Sequence, residues 1–84
     1  MIQHAFYFTA DWCAPCKKVK PIVEEVNRDS AIKFTLIDVD ENKSLCQTYS
    51  VNSVPTFIFI QDGQELRRMS GAKTKKELED FLNG

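Results

Sequence analysis

Two cysteines, Cys13 and Cys16, stand where a strand pattern gives way to a helix pattern, and that placement limits this chain more than any other feature. Upstream, "IQHAFYF" is apolar and aromatic, as a buried strand requires. Downstream, Val19, Ile22, Val23 and Val26 fall at i, i+3, i+4 and i+7, one apolar stripe on a helix running to about Arg28. Pro21 lies inside that stripe and predicts a kink there rather than an end. Unpaired N–H groups and partial positive charge at a helix N-terminus stabilise a thiolate over a thiol. They bring a cysteine pKa down to roughly 3.5–7.5, and the thiolate is the nucleophile of disulfide exchange. The spacing then lets Cys16 reach the sulfur of Cys13 and resolve a mixed disulfide formed there with a substrate. Pro15 suits a first turn, where its missing amide proton would go unpaired anyway. Lys17 and Lys18 read as solvated helix residues that add positive charge nearby.

Other uses of a cysteine pair fit less well. A zinc site needs about four ligands, and only Cys46 and His4 remain, neither in a second close pair; no metal site is expected. A permanent disulfide across so short a loop would constrain little of the unfolded chain. Three cysteines also make an odd number for a disulfide framework. The start, "MIQHAFYFTAD", lacks the basic and apolar segments of a signal peptide, and "VPTFIFI" is too short to span a bilayer. A cytoplasmic location is therefore expected, where thiols stay reduced and a disulfide is catalytic. A formal net charge of −1, with scattered Lys and Arg, gives no reason to expect nucleic acid or a membrane as partner.

The 84 residues make one domain, residues 1–84. A chain this short buries only roughly 60–65% of its unfolded surface, but 43% hydrophobic residues can supply a core. "IKFTLIDVD" suits a second strand, and "NKSLCQTYS", with Leu45 and Tyr49 four apart, a short helix or turn. Cys46 is expected to pack there as a small hydrophobe, away from the dithiol. "TFIFI", the turn residues "QDGQ" and the partly exposed "ELRRM" form a hairpin. "TKKELEDFL" opens with Thr74 and Glu77 at capping-box spacing and carries Leu78, Phe81 and Leu82 on one face. The order is βαβαββα, an α/β fold whose first two strands are parallel with a right-handed crossover.

"DWCAPC", "SVPTF" some forty residues later, then "DG" and "SGA", resemble a thioredoxin in motif and spacing, from about Ala5 to Leu82. The resemblance implies a thioredoxin-like fold, shortened by the family's first strand and helix. It implies a four-stranded mixed sheet in the order 2-1-3-4 with helices on both faces. It also implies a protein-disulfide reductase in which Cys13 is the exposed attacking thiol and Cys16 the buried resolving one, the two forming the redox disulfide. The substrate surface would comprise Trp12, Ala14, Pro15, Val54, Pro55, Gly71 and Ala72, with Pro55 as the family's cis-proline. Implied partners are protein disulfides and a thioredoxin reductase or equivalent donor; no bound cofactor is implied, and a monomer is expected. A glutathione-coupled, glutaredoxin-like reductase and a non-catalytic binding module are the rivals. Glutaredoxins usually place a tyrosine within the motif, which this chain lacks, and a binding module needs neither cysteine. The chain departs from the pattern at three positions. Ala14 stands where thioredoxins usually have glycine, Tyr7 where they bury an aspartate, and Leu36 where that aspartate has its lysine partner. The joint exchange of Tyr7 and Leu36 predicts a drier core beneath the dithiol.

Overall fold

In the computed structural model, which describes residues 1–84, seven elements follow the expected order. They are β1 (Gln3–Thr9), α1 (Ala14–Asp29), β2 (Phe34–Asp38), α2 (Lys43–Thr48), β3 (Thr56–Gln61), β4 (Gln64–Ser70) and α3 (Lys75–Asn83). The strands make one sheet in the order β2-β1-β3-β4. β1 and β2 are parallel, with Tyr7 opposite Leu36 and Thr9 opposite Asp38, while β3 runs antiparallel to both β1 and β4. Asp62 and Gly63 close the β3–β4 hairpin with successive φ values of 51° and 83°. Two consecutive left-handed residues match the right-handed twist of the strands they join, which is the use of an Asp-Gly turn.

Alternation along each strand divides the core into two layers. On one face Ala5, Tyr7, Phe34, Phe57 and Phe59 meet Val19, Val23 and Val26 of α1 and Leu78, Phe81 and Leu82 of α3. On the other, Phe8, Ile37, Ile58 and Ile60 lie under Leu45 and Cys46 of α2 and the Tyr49–Val51 segment that follows it. Helices therefore cover both faces. β3 is buried along Thr56–Ile60 and reads as a continuous apolar run because it has a packed layer on each side.

α1 runs unbroken through Pro21, whose ring lies on the exposed side of the helix. At α3 both halves of the capping box form. The Thr74 hydroxyl accepts the Glu77 N–H at 3.2 Å, and Glu77 Oε1 accepts the Thr74 N–H at 3.0 Å. At the other end of α3 the Arg67 guanidinium from β4 donates twice to Phe81 O, at 2.9 and 2.6 Å, and lies 4.0 Å over the Phe59 ring. The Arg67 contacts hold the end of α3 against β3 and β4.

Candidate active site

Four residues, Ala10 to Cys13, separate the end of β1 from the first residue of α1. The Cys13 N–H donates to Ala10 O at 3.2 Å, which folds Asp11 and Trp12 into a turn and delivers Cys13 to the N-cap of α1. There its Sγ accepts the Cys16 N–H at 3.2 Å, the bond an oxygen of Ser or Asp makes at most N-caps. A negative sulfur in that position meets both the unpaired amides and the positive end of the helix dipole. Cys13 and Cys16 are joined as a disulfide with their Cα atoms 5.2 Å apart. Ala14 and Pro15 are exposed on the first turn between them.

Two further loops close around the pair. The Val54–Pro55 peptide is cis, with Pro55 fully buried, and Val54 O lies 3.7 Å from Cys13 Sγ. Gly71, at φ 90°, donates its N–H to Pro55 O at 2.9 Å, placing the Gly71–Ala72 loop against the cis-proline. That conformation suits a residue without a side chain. Trp12 is 68% exposed, and its ring is held by a bond from Nε1 to Asp40 Oδ2 at 2.9 Å. Asp40 comes from the loop after β2 and carries no signal of this role along the chain, because its partner is 28 residues away. Trp12, Val39, Val51 and Val54 line a mostly apolar groove of about 310 Å³ beside the dithiol, with Lys43 and Cys46 also in its wall.

Several sequence expectations need correction. Cys13 is only 5% exposed and Cys16 2%, so neither sulfur stands out from the surface. Ala10, Val39 and Val54 pack over them, which leaves Cys13 as the slightly more accessible of two buried atoms. Cys46 is a half-buried free thiol on α2, as expected, but it shares a groove with Trp12 and Val54 instead of lying apart from the dithiol. Turning α2 back over β1 and β3 brings it there. Tyr7 is fully buried, stacks on Phe57 at 5.1 Å and donates its hydroxyl to Cys16 O at 3.2 Å. Burial raises the pKa of that phenol, with the Thr9 hydroxyl pulling the other way. Leu36 is 49% exposed, because β2 is the sheet edge and no element covers it. The core beneath Cys16 is thus sealed by Tyr7 alone and is open on the Leu36 side. His4 is exposed at the start of β1, at the other end of the strand from the dithiol, and stacks on Phe6 at 6.5 Å. No three His, Cys, Asp or Glu side chains come together in a way that could hold a metal ion, and no helix is long and apolar enough to cross a membrane.

A family model described as Thioredoxin matches residues 3–84. The chain belongs to the thioredoxin family. A thioredoxin from Bacillus subtilis is 37% identical over 78 residues, covering 90% of this chain and 75% of that protein. A thioredoxin H-type 1 from Nicotiana tabacum is 44% identical over 76 residues; the match spans 89% of this chain but 60% of the tobacco protein. Among solved structures, Fasciola hepatica thioredoxin superposes with a TM-score of 0.89 at 36% identity, over 96% of this chain and 78% of that one. With a CxxC pair at disulfide distance on a helix N-cap, this thioredoxin-family chain is a thiol–disulfide oxidoreductase.

Proposed function

We propose that residues 1–84 act as one catalytic domain that runs in the reducing direction, as a cytoplasmic, monomeric carrier of electrons to protein disulfides. The observation that carries this reading is the Cys13 sulfur at the N-cap of α1, where Cys16 N–H and the helix dipole favour the thiolate. In the reduced protein Cys13 Sγ attacks a substrate disulfide. A Cys13–substrate disulfide forms, and the substrate's other sulfur leaves with the electron pair. The Cys16 thiolate then attacks Cys13 Sγ, freeing the second substrate sulfur and closing the Cys13–Cys16 disulfide. A thioredoxin reductase or equivalent dithiol donor returns two electrons and restores the start.

The substrate surface in this reading consists of Trp12, Ala14, Pro15, Val54, Pro55, Gly71 and Ala72. Val54 lies at the cis peptide with its carbonyl beside the reacting sulfur, so an extended substrate segment can add along it as a strand would. Trp12 and the groove next to it offer apolar contact for a side chain flanking the substrate cysteine.

Replacing Cys16 with Ser keeps the attacking thiol and removes the resolving one. The expected outcome is accumulation of a mixed disulfide on Cys13, located by mass spectrometry after mixing with insulin, and loss of insulin reduction under dithiothreitol. An adduct on Cys46 with Cys13 inert would overturn the roles. Turnover with NADPH and thioredoxin reductase, and little with glutathione and its reductase, is expected of the unaltered chain.

A further inference from the structure

Resolution of the mixed disulfide requires Cys16 to give up a proton, and Cys16 is 2% exposed. The core side offers no acceptor. Tyr7 is the polar group there, its hydroxyl is spent as a donor to Cys16 O at 3.2 Å, and burial makes it a poorer acid still. On the sheet's β2 side a second groove, of about 360 Å³, reaches Cys16 between β1 and the uncovered edge strand. Thr9, Asp11, Leu36 and Asp38 line it together with Cys16 itself, and Lys17 and Lys20 of α1 complete the wall. Thr9, Asp11, Asp38 and the two lysines give it polar groups to hold water, and it is large enough to admit it.

The register of the parallel pair decides which carboxylate faces the sulfur. Tyr7 lies opposite Leu36 and Thr9 opposite Asp38, so these four side chains share the face of the sheet on which α1 and Cys16 pack. Asp38 is half-buried, and its Oδ1 accepts the Asp40 N–H at 2.9 Å, which fixes the carboxylate at the strand end. Asp11 is exposed in the turn before the dithiol. Leu36, 49% exposed, forms part of the same wall.

We propose that Asp38 receives the Cys16 proton through water in this groove, serving as the general base of the resolving step in place of any group beneath the dithiol. As the Cys16 sulfur bonds to Cys13 Sγ, its proton passes by way of a water to Asp38. The Cys13–substrate bond breaks, and its electron pair leaves as substrate thiolate. Asp38 returns the proton to solvent at the open end of the groove. Burial pushes the Tyr7 phenol further from ionising.

This rests on the proposed roles of Cys13 and Cys16, and the two can fail separately. In a Cys46→Ser background, the reduced protein is mixed with an aromatic disulfide such as dithionitrobenzoate and thionitrobenzoate release is followed. A first, concentration-dependent phase reports attack by Cys13, and a second, concentration-independent phase reports resolution by Cys16. Absence of the first phase would refute the role of Cys13 and leave nothing for Asp38 to assist. The expected result for Asp38→Asn is an unchanged first phase and a second phase slowed by about a hundredfold, the lower end of the range for loss of a general base. Asn keeps the acceptor for Asp40 N–H, so the fold should hold. Added formate should speed the second phase of Asp38→Asn in proportion to its concentration, and Asp38→Glu should keep most of the rate. Asp11→Asn should change neither phase. A second phase in Asp38→Asn at the unaltered rate, or a slow one that formate does not restore, overturns the proposal.

Discussion

Tyr7 shows how one side chain can both seal a site and hold it. Its ring belongs to the α1 layer of the core, while its hydroxyl bonds to the backbone of the helix that carries both redox cysteines. Tyr7→Phe keeps the ring and loses that bond, and should lower stability by about 0.5–1.5 kcal/mol in urea unfolding, with no loss of Cys13 reactivity. Tyr7→Asp loses the ring's stacking on Phe57 and buries a carboxyl without a partner, so it should cost on the order of 1–3 kcal/mol or more. A Tyr7→Asp protein as stable as the parent would show that water already fills the space under Cys16. Cys46 makes the opposite case. It is a free thiol in the groove beside Trp12, outside the Cys13–Cys16 disulfide, so a folded Cys46→Ser variant should reduce insulin at the parent rate. Loss of most of that activity would mean a third thiol takes part in turnover.

α1 and α3 each start at a side-chain cap, and the cap of α3 responds to pH. The Thr74 N–H bonded to Glu77 Oε1 holds that carboxyl below the usual range, with the Thr74 hydroxyl and the Lys73 charge acting in the same direction. A carboxyl whose folded pKa lies below its unfolded one stabilises the fold above the unfolded value, roughly pH 4.3. That contribution is lost as pH falls through the lower folded value. Glu65 is held down in the same way by Arg68. Glu77→Gln can still cap the helix but cannot titrate, so its stability should fall less steeply than the parent's between about pH 5 and 3. An identical acid limb in thermal unfolding would show that the cap is not formed in solution. Thr74→Ala removes the hydroxyl that accepts Glu77 N–H and should cost about 1 kcal/mol at neutral pH. The N-cap of α1 is more constrained. Its capping atom is the Cys13 sulfur, so changes in redox state act on the helix start itself.

Across the whole molecule, aromatic packing outweighs surface charge. Phe57 sits between Tyr7 and Phe34 at centroid distances of 5.1 and 5.4 Å, at the point where β1, β3 and the α1 layer meet. The Lys75–Glu25 ion pair also joins α3 to α1, at 3.0 Å, but both side chains are more than 40% exposed. Phe57→Ala should cost about 3–5 kcal/mol. An 84-residue chain at roughly 0.05–0.15 kcal/mol per residue has little beyond that to lose. Lys75→Ala should shift the urea midpoint barely at all, since exposed pairs contribute about 0–1 kcal/mol. Equal effects from the two changes would show that the two helices are held together chiefly by charge.

The sequence by itself determined the elements and the chemistry of the dithiol, because both depend on neighbours along the chain. Apolar period separates "AFYF" from Val19–Val26, Asp-Gly marks the hairpin, and Thr74 with Glu77 marks the start of α3. A cysteine pair between strand and helix lies on a helix N-terminus whatever the rest of the fold does. Motif resemblance added the cis peptide at Pro55 and the nearness of Gly71, both of which are found. Other features depended on distances across the sheet, and only the tertiary structure decided them. Asp40 holds Trp12 because the loop after β2 returns to the end of β1. Cys46 faces the groove beside Trp12 because α2 folds over the opposite layer from α1. Leu36 looks like a core residue along the chain, yet β2 ends the sheet and nothing covers its outer side. The same parallel register that buries Tyr7 sets Asp38 at the mouth of an open groove beside Cys16, a juxtaposition of residues 22 apart that no local pattern encodes.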